Sequence, residues 1–150
     1  TKVIHTLIEV GAQGGSFLLG VGPKPDGTLP TDVVERLQSI GKWMDKNGAA
    51  IYNTRTTPAF KEDSIFFTRS KTGNMHYALV CLPENETLPS FVTWKSNRPK
   101  KGSTIQLVAT GEKLKWAQEG ETVKVFLPAS VKNAKGTVPA LAFSFIPADK

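Results

Sequence analysis

Catalysis by this sequence would have to come from its carboxylates, because its other reactive side chains are few and poorly spaced. His5 and His76 are the only histidines. One falls in a predicted helix and the other in a predicted strand, without the spacing of a metal site and without a recognisable Ser-His-Asp order. Cys81 is the only cysteine, which excludes an internal disulfide and a cysteine-based zinc site. Gly11, Gly14 and Gly15 precede an apolar run instead of following one, so they do not form a dinucleotide fingerprint. Among the acids, Asp26 belongs to a turn, Asp32, Glu35 and Asp45 to the polar face of a helix, and Glu112, Glu119 and Glu121 to turns or strand edges. No two of them form a convincing pair. The expectation is a chain with no catalytic residue, no metal site and no cofactor of its own.

The elements that would position any site change character near residue 60. Val3, Ile4, Leu7 and Ile8 recur at helical spacing from Lys2, and Gly11 is a plausible stop. Ser16 to Val21 is a short apolar run between Gly14-Gly15 and Gly22-Pro23, the pattern of a strand buried on both faces of a parallel sheet. Lys24-Pro25-Asp26-Gly27-Thr28 is turn chemistry. A second helix follows Pro30, with Asp32 and Glu35 near its start and Val33, Leu37, Ile40 and Met44 as one apolar stripe. Lys42 and Lys46 suit its end, and Gly48 terminates it. A buried parallel strand needs neighbours on both edges, and only one such strand is present. The first segment therefore reads as an incomplete unit with orphaned apolar surfaces, capable of self-association.

From residue 61 onward the period is two. Ser64 to Thr68 and Met75 to Leu82 flank Lys71-Thr72-Gly73-Asn74, a hairpin signal. Phe91 to Lys95, Ile105-Leu107, Leu114-Trp116, Thr122 to Leu127 and Leu141-Phe143-Phe145 supply further half-buried strands. Short strands spaced by turn residues predict an antiparallel β-sandwich, with Phe67, Leu79, Leu107, Trp116, Val125 and Phe143 in its core.

Composition adds exclusions. No apolar run approaches the ~20 residues of a membrane span. The first residues carry no charged head followed by an apolar block and a cleavage site, so the start reads as mid-protein. The formal charge of +6 is spread along the chain, and its densest cluster, Arg98-Pro99-Lys100-Lys101, is not accompanied by aromatic stacking residues. It reads as a solvated loop, not a nucleic-acid site.

One long, ordered series of residues resembles a known family. Gly14-Gly15-Ser16-Phe17-Leu18-Leu19-Gly20-Val21-Gly22-Pro23, Asp26-Gly27-Thr28-Leu29-Pro30, Glu35-Arg36-Leu37, Ile40-Gly41-Lys42-Trp43, Asn47-Gly48 and Ala50-Ile51-Tyr52 resemble the last β/α unit of glycoside hydrolase family 29, the α-L-fucosidases. Gly111-Glu112-Lys113-Leu114-Lys115-Trp116 before Val123-Lys124-Val125 is similar, more loosely, to the β-sandwich that follows the barrel in those enzymes. The resemblance implies an α+β fragment: residues 1–60 close a (β/α)8 barrel and residues 61–150 form a C-terminal sandwich. It further implies a retaining hydrolase of fucosylated glycans whose aspartate nucleophile and acid/base carboxyl lie upstream of Thr1, with the rest of the barrel as this chain's partner. The family's compartments are secreted, periplasmic or lysosomal. Phe17 occupies the family's variable, often bulky apolar position in strand eight, which implies packing against the C6 methyl of fucose. Asparagines usual in the family are replaced by Ser16 and Gly20, which implies that the side-chain hydrogen bonds bracing that strand's end are lost or rearranged.

A non-catalytic module is the competing expectation. In that reading residues 61–150 are a carbohydrate-binding or structural sandwich, with Trp94 and Trp116 stacking on sugar rings.

Overall fold

The computed structural model describes residues 1–84, 86–133 and 137–149. Both expected helices form. Helix α1 spans Lys2–Ala12, with Ile4, Ile8 and Ala12 buried at intervals of four, one face of a 3.6-residue period. Helix α2 spans Thr31–Asn47 and starts directly after Pro30, with Asp32 in its first turn and Lys46 in its last. A 3₁₀ turn, Gly48–Ala50, ends it.

The strands are β1 (Thr54–Glu62), β2 (Ile65–Ser70), β3 (His76–Cys81), β4 (Phe91–Trp94), β5 (Ile105–Leu107), β6 (Lys113–Leu114), β7 (Trp116–Glu119), β8 (Thr122–Phe126) and β9 (Ala140–Phe145); a short helix α3 (Ala129–Lys132) precedes β9. The expected β2–β3 hairpin is present, with Phe67 opposite Ala78. In its turn the Gly73 amide donates to Ser70 Oγ at 2.7 Å. A β-carbon at Gly73 would meet that oxygen at 2.9 Å, so a larger residue there would make the Ser70 side chain shift.

Two antiparallel sheets result, one ordered β1-β2-β3-β9-β5-β6 and the other β4-β8-β7. The core between them holds Phe67, Val80, Trp94, Ile105, Leu107, Val123, Val125, Leu141, Phe143 and Phe145. Trp94 lies at its centre, 1% exposed. It is stacked on Phe143 and set edge-on to Phe67. Trp116, expected in this core, is only partly buried against it, and its indole N–H donates to Ser103 O at 3.0 Å.

A second cluster lies on the opposite face of the larger sheet. Phe66, Leu79, Cys81, Ala140 and Ala142 meet Ile4, Ile8, Ala12, Trp43 and Ala50 from the helical segment. Strands β2, β3 and β9 are thus buried on both faces instead of half-buried, and Leu79 faces helices, not the other sheet. Polar atoms tie the helices to β9: Trp43 Nε1–H donates to Ala140 O at 3.0 Å, and His5 Nε2 lies 2.7 Å from Pro139 O. The α2 stripe is therefore only partly orphaned. Ile40 and Met44 pack against this cluster, whereas Leu37 and Val33, one and two turns earlier, are half-buried outside it.

The expected strand Ser16 to Val21 does not form. Residues 16–23 have no regular secondary structure and, among the described residues, make no backbone hydrogen bond. The physical reason is pairing. An isolated strand gains nothing from extension, and the sheet that this chain builds is antiparallel and ends at β1 and β6.

Candidate functional site

The segment from Gly14 to Pro30 carries the candidate sugar contact. Phe17 is half-buried, while Leu18 is 93% exposed and Leu19 and Val21 are about two-fifths exposed. Apolar side chains in such a row are an unmet demand for burial. The loop that follows is well defined by its own hydrogen bonds. Lys24 N–H donates to Thr28 O at 2.7 Å and Gly27 N–H to Lys24 O at 2.9 Å, with Gly27 at φ +85°. Asp26 Oδ1 accepts from Thr28 Oγ1 at 2.7 Å and from Thr28 N at 3.0 Å. The hydroxyl bond, then the amide bond, hold its carboxyl below the ordinary value. Asp26 is committed to the turn.

Several other acids are engaged locally. Glu9 pairs with Lys61 at 3.5 Å and Asp32 with Arg36 at 3.7 Å. Glu121 pairs with Arg98 at 3.7 Å, and Glu112 accepts from Ser130 Oγ at 2.7 Å. No group of three or more His, Cys, Asp or Glu side chains suited to a metal occurs among the described residues. Cys81 is buried, and that burial, with Glu9 adding to it, pushes its thiol up to about 11. It is a poor nucleophile at neutral pH. Arg98 and Lys100, from the basic cluster, are spread over separate pairs with Glu121 and Asp149.

Sequence reasoning missed one concave site altogether. A cavity of about 780 Å³ opens among Glu62, His76, Ser96, Asn97, Arg98 and Glu121. Glu62 Oε1 accepts from Lys95 N–H at 2.8 Å, and Oε2 accepts from Ser96 N–H at 3.0 Å and Ser96 Oγ at 2.7 Å. Burial pushes its carboxyl upward, but the Ser96 and Lys95 hydrogen bonds together outweigh this and leave it below its ordinary value. Its folded-state value being depressed, Glu62 adds stability above the ordinary carboxylate range, and that stability is lost as pH falls through the folded value. Glu62→Gln should therefore flatten the fall in Tm between about pH 5 and pH 3. An unchanged slope would assign the acid sensitivity to other groups. The residues of this cavity come from elements far apart in sequence, which is why no motif announced it.

Comparison with known proteins places this arrangement. The family model for alpha-L-fucosidase matches residues 1–49. Tissue alpha-L-fucosidase from Mus musculus is 28% identical over 130 residues, covering 85% of this chain and 28% of the relative. The Bos taurus tissue enzyme is 32% identical over 132 residues, covering 85% and 27%. The chain thus spans less than a third of the length of these curated relatives. The structure of Thermotoga maritima alpha-fucosidase with a mechanism-based inhibitor superimposes with a TM-score of 0.77 at 27% identity, covering 97% of this chain and 33% of that one. Alpha-L-fucosidase isoenzyme 1 from Paenibacillus thiaminolyticus shares the fold, with a TM-score of 0.78 at 20% identity over 99% of this chain and 34% of its own.

Proposed function

We infer that this chain, a relative of the α-L-fucosidases by sequence and by fold, is the C-terminal portion of a retaining α-L-fucosidase that removes terminal α-L-fucose from glycans. In this reading residues 1–60 are the last β/α unit of a (β/α)8 barrel, residues 61–150 are the sandwich behind it, and the two catalytic carboxyls lie upstream of Thr1. The upstream barrel is the partner that completes the first segment. The observation that carries the reading is the run at residues 16–23. It is apolar, exposed and unpaired, and it lies inside the stretch that the family model matches. A strand in the centre of a barrel would satisfy both its backbone and its side chains. Phe17 would then sit near the end of strand eight, where it packs against the sugar's C6 methyl.

Retention needs two carboxyl groups about 5 Å apart across the scissile bond. Asp26, Glu62 and Glu112 are held by local hydrogen bonds and Glu9, Asp32 and Glu121 by ion pairs, and in this reading the catalytic pair comes from the upstream segment. The parent protein, with its upstream segment, should hydrolyse an aryl α-L-fucoside and release the α-anomer first, as read by NMR. The pure 150-residue chain should give no hydrolysis above a no-protein control. Turnover by the chain alone would overturn the reading.

The tryptophans do not favour a sugar-stacking module. Trp94 is sealed in the core, and Trp116 is half-buried with its N–H engaged, so the two do not offer a coplanar exposed platform.

A further inference from the structure

Strand β4 is an outer strand of the smaller sheet, and one of its edges is open. Its hydrogen-bond phase is fixed by Leu127 N–H, which donates to Ser90 O at 3.0 Å, and by the register that sets Phe91 opposite Phe126. In an antiparallel ladder bonded pairs alternate with unbonded ones, so Val92 and Trp94 exchange bonds with β8 while Phe91 and Thr93 turn their N–H and C=O groups away from it. No described strand lies on that side. The next amide in the same phase, Lys95 N–H, is taken by Glu62 Oε1 at 2.8 Å, which closes the edge at one end. Phe91 and Thr93 are exposed, and among the described residues no further hydrogen bond reaches their backbone groups.

Proteins blunt such edges with charge, proline, bulges or very short strands. The other outer strands of the two sheets do so. Strand β1 carries Arg55, Pro58 and Lys61 and a register shift between Thr56 and Lys61; β6 has two residues, one of them Lys113; β7 ends in Glu119. Strand β4, Phe91-Val92-Thr93-Trp94, has neither charge nor proline, and Phe91 is 42% exposed. Lys124, on the neighbouring strand β8, covers one face of the Phe91 ring with its ammonium 3.9 Å from the centroid, and the backbone edge beyond Phe91 stays open.

We propose that this edge pairs with the same edge of a second copy of the chain, joining two three-stranded sheets into one continuous sheet. The strand is self-complementary. With Val92 on the two-fold axis, Phe91 of each copy lies opposite Thr93 of the other, and each such pair exchanges both N–H···O bonds. In that register Lys95 falls opposite Pro89 of the second copy, so no like charges meet along the edge. The nearest charges, Lys95 at the strand's end and Lys124 one strand in, stay outside the paired residues. The edge lies outside the residues that the family model matches, so this contact stands or fails apart from the fucosidase reading.

The test uses the 150-residue chain carrying Leu18→Ser and Val21→Ser, which removes exposed apolar side chains of the 16–23 run as a separate cause of association. Sedimentation equilibrium up to about 1 mM should show a monomer–dimer equilibrium with a dissociation constant on the order of 0.1–1 mM, since so small a contact lies below the area of stable interfaces. Hydrogen exchange should slow at the Phe91 and Thr93 amides as concentration rises, and change less at Val92 and Trp94, which are bonded within each monomer. Thr93→Pro removes an edge N–H that the β4–β8 ladder does not use, and Phe91→Glu sets two acids diagonally across the axis. Each should weaken dimerisation about tenfold or more. The glutamate lies beside Lys124, so that variant decides the matter even if the proline variant does not fold. A monomer throughout the concentration range, a dimer in which the Phe91 and Thr93 amides exchange as in the monomer, or a dimer not weakened by Phe91→Glu would each overturn the proposal.

Discussion

Replacing Trp94 with alanine should destabilise the chain by about 3–5 kcal/mol, the range for truncating a large aromatic in a core. The magnitude follows from position. The indole is 1% exposed, bridges β4 of the smaller sheet to Phe67, Phe143 and Phe145 of the larger one, and contacts all three rings at centroid distances of 5.9–6.4 Å. Alanine would leave a cavity between two sheets that cannot both collapse onto it, because each is held by its own ladder. Such a loss is a large share of a typical domain's stability. Urea unfolding followed by circular dichroism would measure it. A change under about 1 kcal/mol would mean that the sheets do not share this core. Trp116→Ala should cost less, since that ring is only partly buried.

Ile8→Ala should cost about 2–5 kcal/mol, the range for a buried isoleucine. Ile8 is 0% exposed and belongs to the cluster that joins α1 to Phe66, Leu79 and Ala142 on the outer face of the larger sheet. Hydrogen exchange distinguishes docking from simple helix stability. In the variant, amides of α1 should lose protection more than those of the inner strands β3 and β9. A variant as stable as its parent, with α1 still protected, would show that the helix is held by something other than this sheet face.

The near-uniform apolar runs Ile65-Phe66-Phe67 and Ala140-Leu141-Ala142-Phe143 already carried the sign of a sheet covered on both sides. A reading by alternation alone assigned them one buried face, because the second set, Ala140 and Ala142, is small and passes easily for spacing. What covers them, α1 and the end of α2, lies more than 90 residues away in sequence from β9.

Local order was legible wherever its cause is local. The helices α1 and α2 follow from 3.6-residue apolar spacing and from Pro30 and Gly48 at the ends of α2; the β2–β3 hairpin follows from Lys71-Thr72-Gly73-Asn74; the Asp26 turn follows from an aspartate beside glycine. The family resemblance was legible for the same reason, since it rests on an ordered run of residue types. Pairing and convergence depend instead on contacts between distant residues, which spacing does not encode. Tertiary structure alone inserted β9 between β3 and β5, buried Trp94 while leaving Trp116 half-open, and gathered Glu62, His76, Asn97 and Glu121 around one cavity. It also decided against a strand at Ser16 to Val21. Apolar composition can demand burial, but only neighbouring strands can supply the backbone hydrogen bonds, and no described strand pairs with that segment.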